Sequence, residues 1–226
     1  MNKHLKFFTP LFIQKIGYSL FFVLHKIFVG IEIEGKENLN GLTRPVILAA
    51  NHTSELDPTA IPLVLPFFSN LFPLYFVTNP TEKYKTFGWR SYIYGGKFFE
   101  CLGGYPVYSG NRDYAVSLED HKLLLDLGRT VCIFPEGKRT EDGKLNLARG
   151  GLGYLIYATN AIVVPISINT FYNISFRYYL TRKKKVIIKV GIPMLKSQLF
   201  NTDNPNVEDF RGASQKVLDK IGEVMN

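Results

Sequence analysis

The chain has 226 residues, 46% hydrophobic and 14% aromatic, with a formal net charge of +8 at pH 7 and a pI near 9.3. That length supports a sizeable core in one or two domains of about 100–200 residues each. The positive charge favours anionic partners, among which nucleic acid is the weakest, because no helix-turn-helix, zinc-ligand or aromatic RNA-binding pattern is present.

Residues 1–30 are basic, aromatic and apolar, with polar positions at Gln14-Lys15, Ser19 and His25-Lys26 forming a narrow stripe at roughly helical spacing. The longest uncharged run, Ile16 to Leu24, is shorter than the ~20 residues that cross a bilayer. No small-residue cleavage site follows it. The segment reads as an amphipathic helix lying in a membrane interface with snorkelling lysines. Packing of the same apolar face on the protein's own core is the alternative, and a true span the lesser one. No Pro/Ser/Gly-rich linker, repeat or low-complexity tract follows. The organisation expected is a membrane-associating segment at residues 1–30 and one domain at residues 31–226.

Ile31–Glu34 alternates as a short strand does, and Val46 to Ala50 is an apolar run suited to a buried strand. The latter ends abruptly in Asn51-His52, with Asp57 five positions after the histidine. In open α/β sheets, ligands bind in the crevice beyond the carboxyl ends of the strands. A histidine there titrates near neutral pH, and a carboxylate within reach fixes its tautomer and stabilises its protonated form. Asp57-Pro58 also has the form of a helix start, with Asp as N-cap and Pro at the first helical position.

A helix is predicted over Thr59 to Phe68, then a strand over Leu74 to Val77. Between Thr81 and Phe99, seven aromatic residues interleave with Lys83, Lys85, Arg90 and Lys97. Core packing and a lipid-facing surface are equally good readings of that region. Arg112 to Leu127 reads as an amphipathic helix stopped by Gly128.

Val131 to Phe134 is again a short apolar strand, ending in a turn built from Pro135 and Gly137 and followed by Lys138-Arg139. Such turns present backbone N–H groups to anions, and Arg offers a planar fork suited to phosphate. Cys132 lies in this strand as a packing residue, and with Cys101 it makes neither a disulfide framework nor a metal-ligand spacing. Gly151 to Thr159 reads as a helix, Ile162 to Ile168 and Val186 to Val190 as strands, and Val207 to Met225 as a closing amphipathic helix. The charge run Thr181 to Lys185 is a solvated turn, with headgroup contact as the lesser reading. The alternation predicts an α/β fold, a mostly parallel central sheet flanked by helices.

Asn51-His52-x4-Asp57 and Phe134-Pro135-Glu136-Gly137-Lys138-Arg139-Thr140, about eighty residues apart, resemble the N-H-x4-D and F-P-E-G-x-R-[S/T] motifs of the PlsC-type glycerolipid acyltransferases. Gly104-Tyr105-Pro106-Val107 and Val164-Pro165-Ile166 resemble two further blocks of that family, in the same order. The four blocks span residues 51 to 168, about half the chain. One departs from the family pattern: Tyr108-Ser109 stand where an Arg often follows the middle block, leaving Arg112 as the substitute.

The resemblance implies a glycerol-3-phosphate acyltransferase-like fold and transfer of an acyl chain from a thioester to a hydroxyl. His52 and Asp57 are then the catalytic pair. Glu136, Gly137, Arg139, Arg149 and Arg112 serve the acceptor's phosphate, with Glu136 ordering the loop or the acceptor. It implies no bound cofactor and no metal. Acyl-CoA or acyl-ACP is the co-substrate, a lysophospholipid (lysophosphatidic acid first) is the acceptor, and the cytoplasmic face of an anionic membrane is the setting. An acyl carrier protein is thus a candidate partner and nucleic acid is not. Another lysophospholipid, a lyso-aminolipid or a glycolipid is the alternative acceptor; a hydrolase or a non-catalytic membrane-binding protein is the alternative class. No Gly-x-Ser-x-Gly elbow is present to supply a serine nucleophile.

Overall fold

The computed structural model describes residues 8–80, 97–108, 113–169, 172 and 185–225. Arg112, the aromatic stretch up to residue 96 and most of the 181–185 charge run lie outside the described residues. The chain enters through helix α1 (Phe8–Leu24) and a turn of π-helix (His25–Val29), then forms strand β1 (Ile31–Glu34) and strand β2 (Val46–Ala50). Helix α2 (Asp57–Ala60) precedes β3 (Leu74–Thr78), α3 (Lys97–Cys101), β4 (Gly104–Pro106), α4 (Tyr114–Ser117), α5 (Glu119–Asp126) and β5 (Thr130–Ile133). Helix α6 (Gly151–Thr159), β6 (Ile162–Asn169), β7 (Val186–Val190), α7 (Lys196–Leu199) and α8 (Val207–Met225) complete it.

The described strands form one sheet in the order β1-β7-β6-β2-β5-β3-β4. Every neighbouring pair is parallel except β6 with β7. The expected mostly parallel sheet flanked by helices is therefore the observed fold. Strand β2 is central and fully buried. Val46, Leu48 and Ala50 join one core cluster with Ile61 and Val64, while Ile47 and Ala49 join the other with Leu152, Leu155, Val217 and Ile221. Burial on both faces is why β2 reads as an unbroken apolar run rather than an alternating one.

Two predicted helices are shorter than their patterns suggest. The expected helix to Phe68 ends early: α2 tightens into a 3-10 turn over Ile61–Val64, and Leu65 is extended at φ −88°, ψ 145°. Leu65 precedes Pro66, whose ring disfavours the helical region for the residue before it. The expected helix to Leu127 is broken at Leu118 into α4 and α5. Ser117 Oγ donates to Asp113 O at 2.8 Å, a back-bond that bends helices. Its end is as predicted, with Gly128 at φ +68° and the Gly128 and Arg129 N–H groups bonded to Leu125 O and Leu124 O.

Helix α1 lies against the sheet's first core cluster through Leu11 and Tyr18. Gln14 is buried; its Nε2 donates to Leu74 O at 2.6 Å and Leu102 O at 2.8 Å, and its Oε1 accepts from Leu74 N–H at 2.8 Å. Gly103 leaves room for this clamp, because a Cβ there would stand 2.4 Å from Leu74 O and 2.9 Å from Gln14 Nε2. Lys15 bonds Phe67 O, and Tyr18 bonds Leu65 O at 3.2 Å. The outward face of the same helix is apolar, with Phe8, Phe12, Ile16 and Leu20 at intervals of four and each more than half exposed.

Candidate active site

Strands β2 and β5 are adjacent and parallel, so the polar segments that follow them leave the sheet at the same end. Asn51 is buried just past β2. Its side chain donates to Ile168 O at 2.9 Å and accepts from Ile168 N–H at 2.7 Å. The amide thus stands in for one more peptide group of the β2–β6 ladder. On the opposite side, the His52 N–H donates to Glu136 Oε1 at 2.8 Å, and Thr140 N–H donates to His52 O at 2.9 Å. The backbone of His52 is thus pinned to the turn after β5, and the residue before it to β6.

The Asp57 carboxylate is fully buried. Its Oδ2 lies 3.0 Å from His52 Nδ1 and accepts from Thr53 N–H at 2.6 Å and Ser54 N–H at 2.8 Å; Oδ1 takes the Thr53 hydroxyl at 3.3 Å. A carboxylate offers about four acceptor sites, and four donors meet this one. All four precede Asp57 in the chain. The side chain therefore folds back over its own turn instead of capping α2, which starts without a side-chain cap. With Asp57 accepting at Nδ1, that nitrogen carries the proton and Nε2 keeps its lone pair. Phe134 stacks on the imidazole with 4.1 Å between ring centroids and 17° between planes.

Glu136 is a second buried carboxylate. Besides the His52 N–H, it accepts from Asn146 N–H at 2.8 Å and Asn146 Nδ2 at 2.9 Å. These bonds join the turn after β2, the turn after β5 and the loop toward α6, so Glu136 orders the loop. Gly137 follows at φ +66°, where a Cβ would meet Arg149 Cδ at 2.6 Å and Nε at 2.9 Å. Glycine tolerates that left-handed backbone without penalty and lets the Arg149 side chain lie across the turn. Arg149 N–H in turn donates to Pro135 O at 2.8 Å. Arg139 is on the rim, its Nη1 2.9 Å from Glu55 Oε1.

The structure thus draws His52, Asp57, Glu136, Gly137, Arg139 and Arg149 to one end of the sheet, while Arg112 lies outside the described residues. Ser54 Oγ accepts from Leu56 N–H at 3.2 Å within the turn. Cys132 is buried, and burial pushes its thiol well above the ordinary range, which suits packing and not nucleophilic attack. Two residues of the site carry no sequence signal of their own. Asn146 is ten residues from the carboxylate it holds, and Glu55 occupies a variable position inside the first motif.

The sequence pattern of the acyltransferase family matches residues 30–169, a stretch that contains both turns. The chain belongs to the acyltransferase family. Among its relatives, taffazin of Dictyostelium discoideum is 26% identical over 161 residues, covering 65% of this chain and 54% of that protein. The chloroplastic 1-acyl-sn-glycerol-3-phosphate acyltransferase of Arabidopsis thaliana is 28% identical over 142 residues, covering 62% of this chain and 36% of that protein. This acyltransferase-family chain therefore spans about half and about a third of the lengths of those two relatives. The crystal structure of the 1-acyl-sn-glycerophosphate acyltransferase PlsC from Thermotoga maritima shares the fold. Its TM-score is 0.67 at 22% identity, over 95% of this chain and 79% of that one.

Proposed function

We propose that this chain is a membrane-associated O-acyltransferase. It moves a fatty acyl group from a thioester to the free hydroxyl of a lysophosphatidic acid, giving phosphatidic acid. The observation that carries the reading is the His52–Asp57 pair, 3.0 Å apart, beside a glycine turn flanked by Arg139 and Arg149. An alcohol is a weak nucleophile at neutral pH and needs a base as the new bond forms. His52 Nε2 takes the hydroxyl proton while the oxygen attacks the thioester carbonyl. The resulting oxyanion collapses, the C–S bond breaks, and the thiolate leaves with the proton held by the imidazolium. Asp57 stabilises that cation by its charge, and the face of Phe134 adds a cation–π contribution. A thiolate is a good leaving group, so no acyl-enzyme is needed.

The acceptor's phosphate is assigned to the turn of Gly137, with Arg139 and Arg149 as its cations. Helix α6 begins directly after Arg149 and Gly150, and a helix amino terminus favours negative charge. Membrane association is assigned to α1. With the π turn it gives a 21-residue apolar helix, Phe8–Phe28, long and apolar enough by length and composition to cross a membrane. Gln14, Lys15 and Tyr18 nevertheless bond it to the domain along one face. A helix so bonded lies on the bilayer with Phe8, Phe12, Ile16 and Leu20 in the acyl region, and exposed Phe68 sits one residue beyond the carbonyl that Lys15 bonds.

The test is acyl transfer by the purified protein with lysophosphatidic acid in lipid vesicles and palmitoyl donors on coenzyme A and on acyl carrier protein. The expected result is phosphatidic acid from the wild type and none from His52→Ala, and the donor used identifies the carrier. Equal product from the variant would overturn the role of His52. Product with another lysolipid only would move the acceptor assignment, and thioester loss without lipid product would mark hydrolysis.

A further inference from the structure

Glu55 lies between His52 and Asp57, yet it takes no part in the bonds that hold that turn. The Thr53 and Ser54 N–H groups go to Asp57, and Leu56 N–H goes to Ser54 Oγ. Among the described residues, the Glu55 carboxylate bonds only Arg139, at 2.9 Å and across 84 positions of sequence. Both side chains are about half exposed, Arg139 at 49% and Glu55 at 58%. The pair therefore bridges the rims of the two motif turns instead of stiffening a core.

The stoichiometry of the contact points to its use. A guanidinium has five donors in a planar fork, and among the described residues one nitrogen of Arg139 is engaged, by one carboxylate oxygen. An exposed pair of this kind is weak and readily exchanged. A phosphomonoester is the stronger ligand for the same fork, because it carries about two negative charges at neutral pH and three acceptor oxygens. Taking the assignment of Arg139 to the acceptor's phosphate as given, we infer that Glu55 is an internal counter-anion that competes with that phosphate for the Arg139 fork. It occupies the fork when no lipid is bound and is displaced when the acceptor arrives. It then returns as the product's phosphate leaves. The product keeps the same phosphate, so an anion site that bound it without competition would release it slowly. Glu55 weakens binding of acceptor, product and free phosphate alike.

The competing role for the same contact is positioning, in which Glu55 aims Arg139 at the phosphate. The two roles predict opposite signs. If Glu55 competes, Glu55→Gln lowers the acceptor KM and the inhibition constant of inorganic phosphate, each by about three- to fivefold, the scale of an exposed ion pair. If Glu55 positions, both constants rise.

The experiment measures KM for lysophosphatidic acid and inhibition by inorganic phosphate in wild type, Glu55→Gln, Arg139→Gln and the double variant, with melting temperature as the control for folding. The expected result is a fall of both constants in Glu55→Gln and no effect of the same change in the Arg139→Gln background. A rise or no change in Glu55→Gln, with Arg139→Gln raising KM, would overturn the competition and leave Arg139 as the phosphate ligand. An equal fall in both backgrounds would also overturn it, since the effect would then be general charge. No change of KM in Arg139→Gln would overturn the phosphate assignment itself and the inference with it.

Discussion

Replacing Asp57 by Asn isolates the charge of this carboxylate from its shape. The amide oxygen of Asn can take the place of Oδ2, still accepting from His52 Nδ1, Thr53 N–H and Ser54 N–H. Its NH2 then faces the Thr53 hydroxyl, which can accept. Every backbone donor keeps its acceptor, so the turn and the imidazole tautomer persist; the second hydrogen of the NH2 gains no acceptor from these contacts, and unfolding stability should fall by about 1–3 kcal/mol. Asp57→Ala is the poorer variant, because it orphans two backbone N–H groups at about 1–3 kcal/mol each. What Asn cannot supply is the negative charge opposite the imidazolium. At 3.0 Å and an effective dielectric of about 20, that attraction is about 5–6 kcal/mol. The retained hydrogen bond keeps part of it, leaving a loss of roughly 3–4 kcal/mol in the transition state. At about 1.4 kcal/mol per tenfold, kcat should fall by about 10²–10³. The assay is the initial rate of acyl transfer at saturating donor and acceptor, beside urea unfolding of both proteins. A kcat within about threefold of wild type, in a variant that urea unfolding shows to be folded under assay conditions, would refute the electrostatic role and leave Asp57 as a brace for the turn.

Two other outcomes test the N-terminal helix. Deleting α1 would also remove the Gln14 clamp, so the membrane reading is better probed on the outward face. Phe12→Gln with Leu20→Gln should weaken binding to anionic vesicles by about 100-fold, taking about 1.5 kcal/mol per lost apolar side chain; equal cosedimentation of variant and wild type would exclude this face as the anchor. The second outcome concerns His25, which is completely buried and 3.2 Å from Thr59 Oγ1. The Thr59 hydroxyl donates to Leu56 O at 2.6 Å, so His25 Nε2 carries the hydrogen of the first contact. Burial lowers the pKa of His25 from 6.5 to about 4. Between those values the unfolded chain binds a proton that the folded one refuses. Stability is then full above pH 6.5, falls as pH drops from 6.5 toward 4, and loses about 3 kcal/mol in total from this group. His25→Gln retains a donor near Nε2 without titrating, and urea midpoints between pH 7.5 and 4.5 should lose most of this slope. The same pH dependence in both proteins would show that His25 is not its source.

Residue order alone carried much of this protein's identity. The buried β2 run, the polar residues that end it, and the alternation of apolar strands with amphipathic helices were legible because each follows from local rules of burial and periodicity. Val207–Met225 and Val186–Val190 stand where their patterns put them for the same reason. Local rules also misread the stretch after Pro58, where Pro66 cuts short an apolar pattern, and they left Asp57 suited to capping α2 as well as to orienting His52. Tertiary structure chose between those two by turning the carboxylate back onto donors that precede it. It also decided that Glu136 is buried and bonded to His52 and Asn146, and that Gly137 makes room for Arg149. Arg139 likewise meets a glutamate 84 positions away. The contacts of Glu136 with His52 and of Arg139 with Glu55 each join residues 84 positions apart. They meet because β2, β5 and β6 are parallel neighbours whose carboxyl ends open on the same edge, and only the order of strands in the folded sheet sets which turns face each other there.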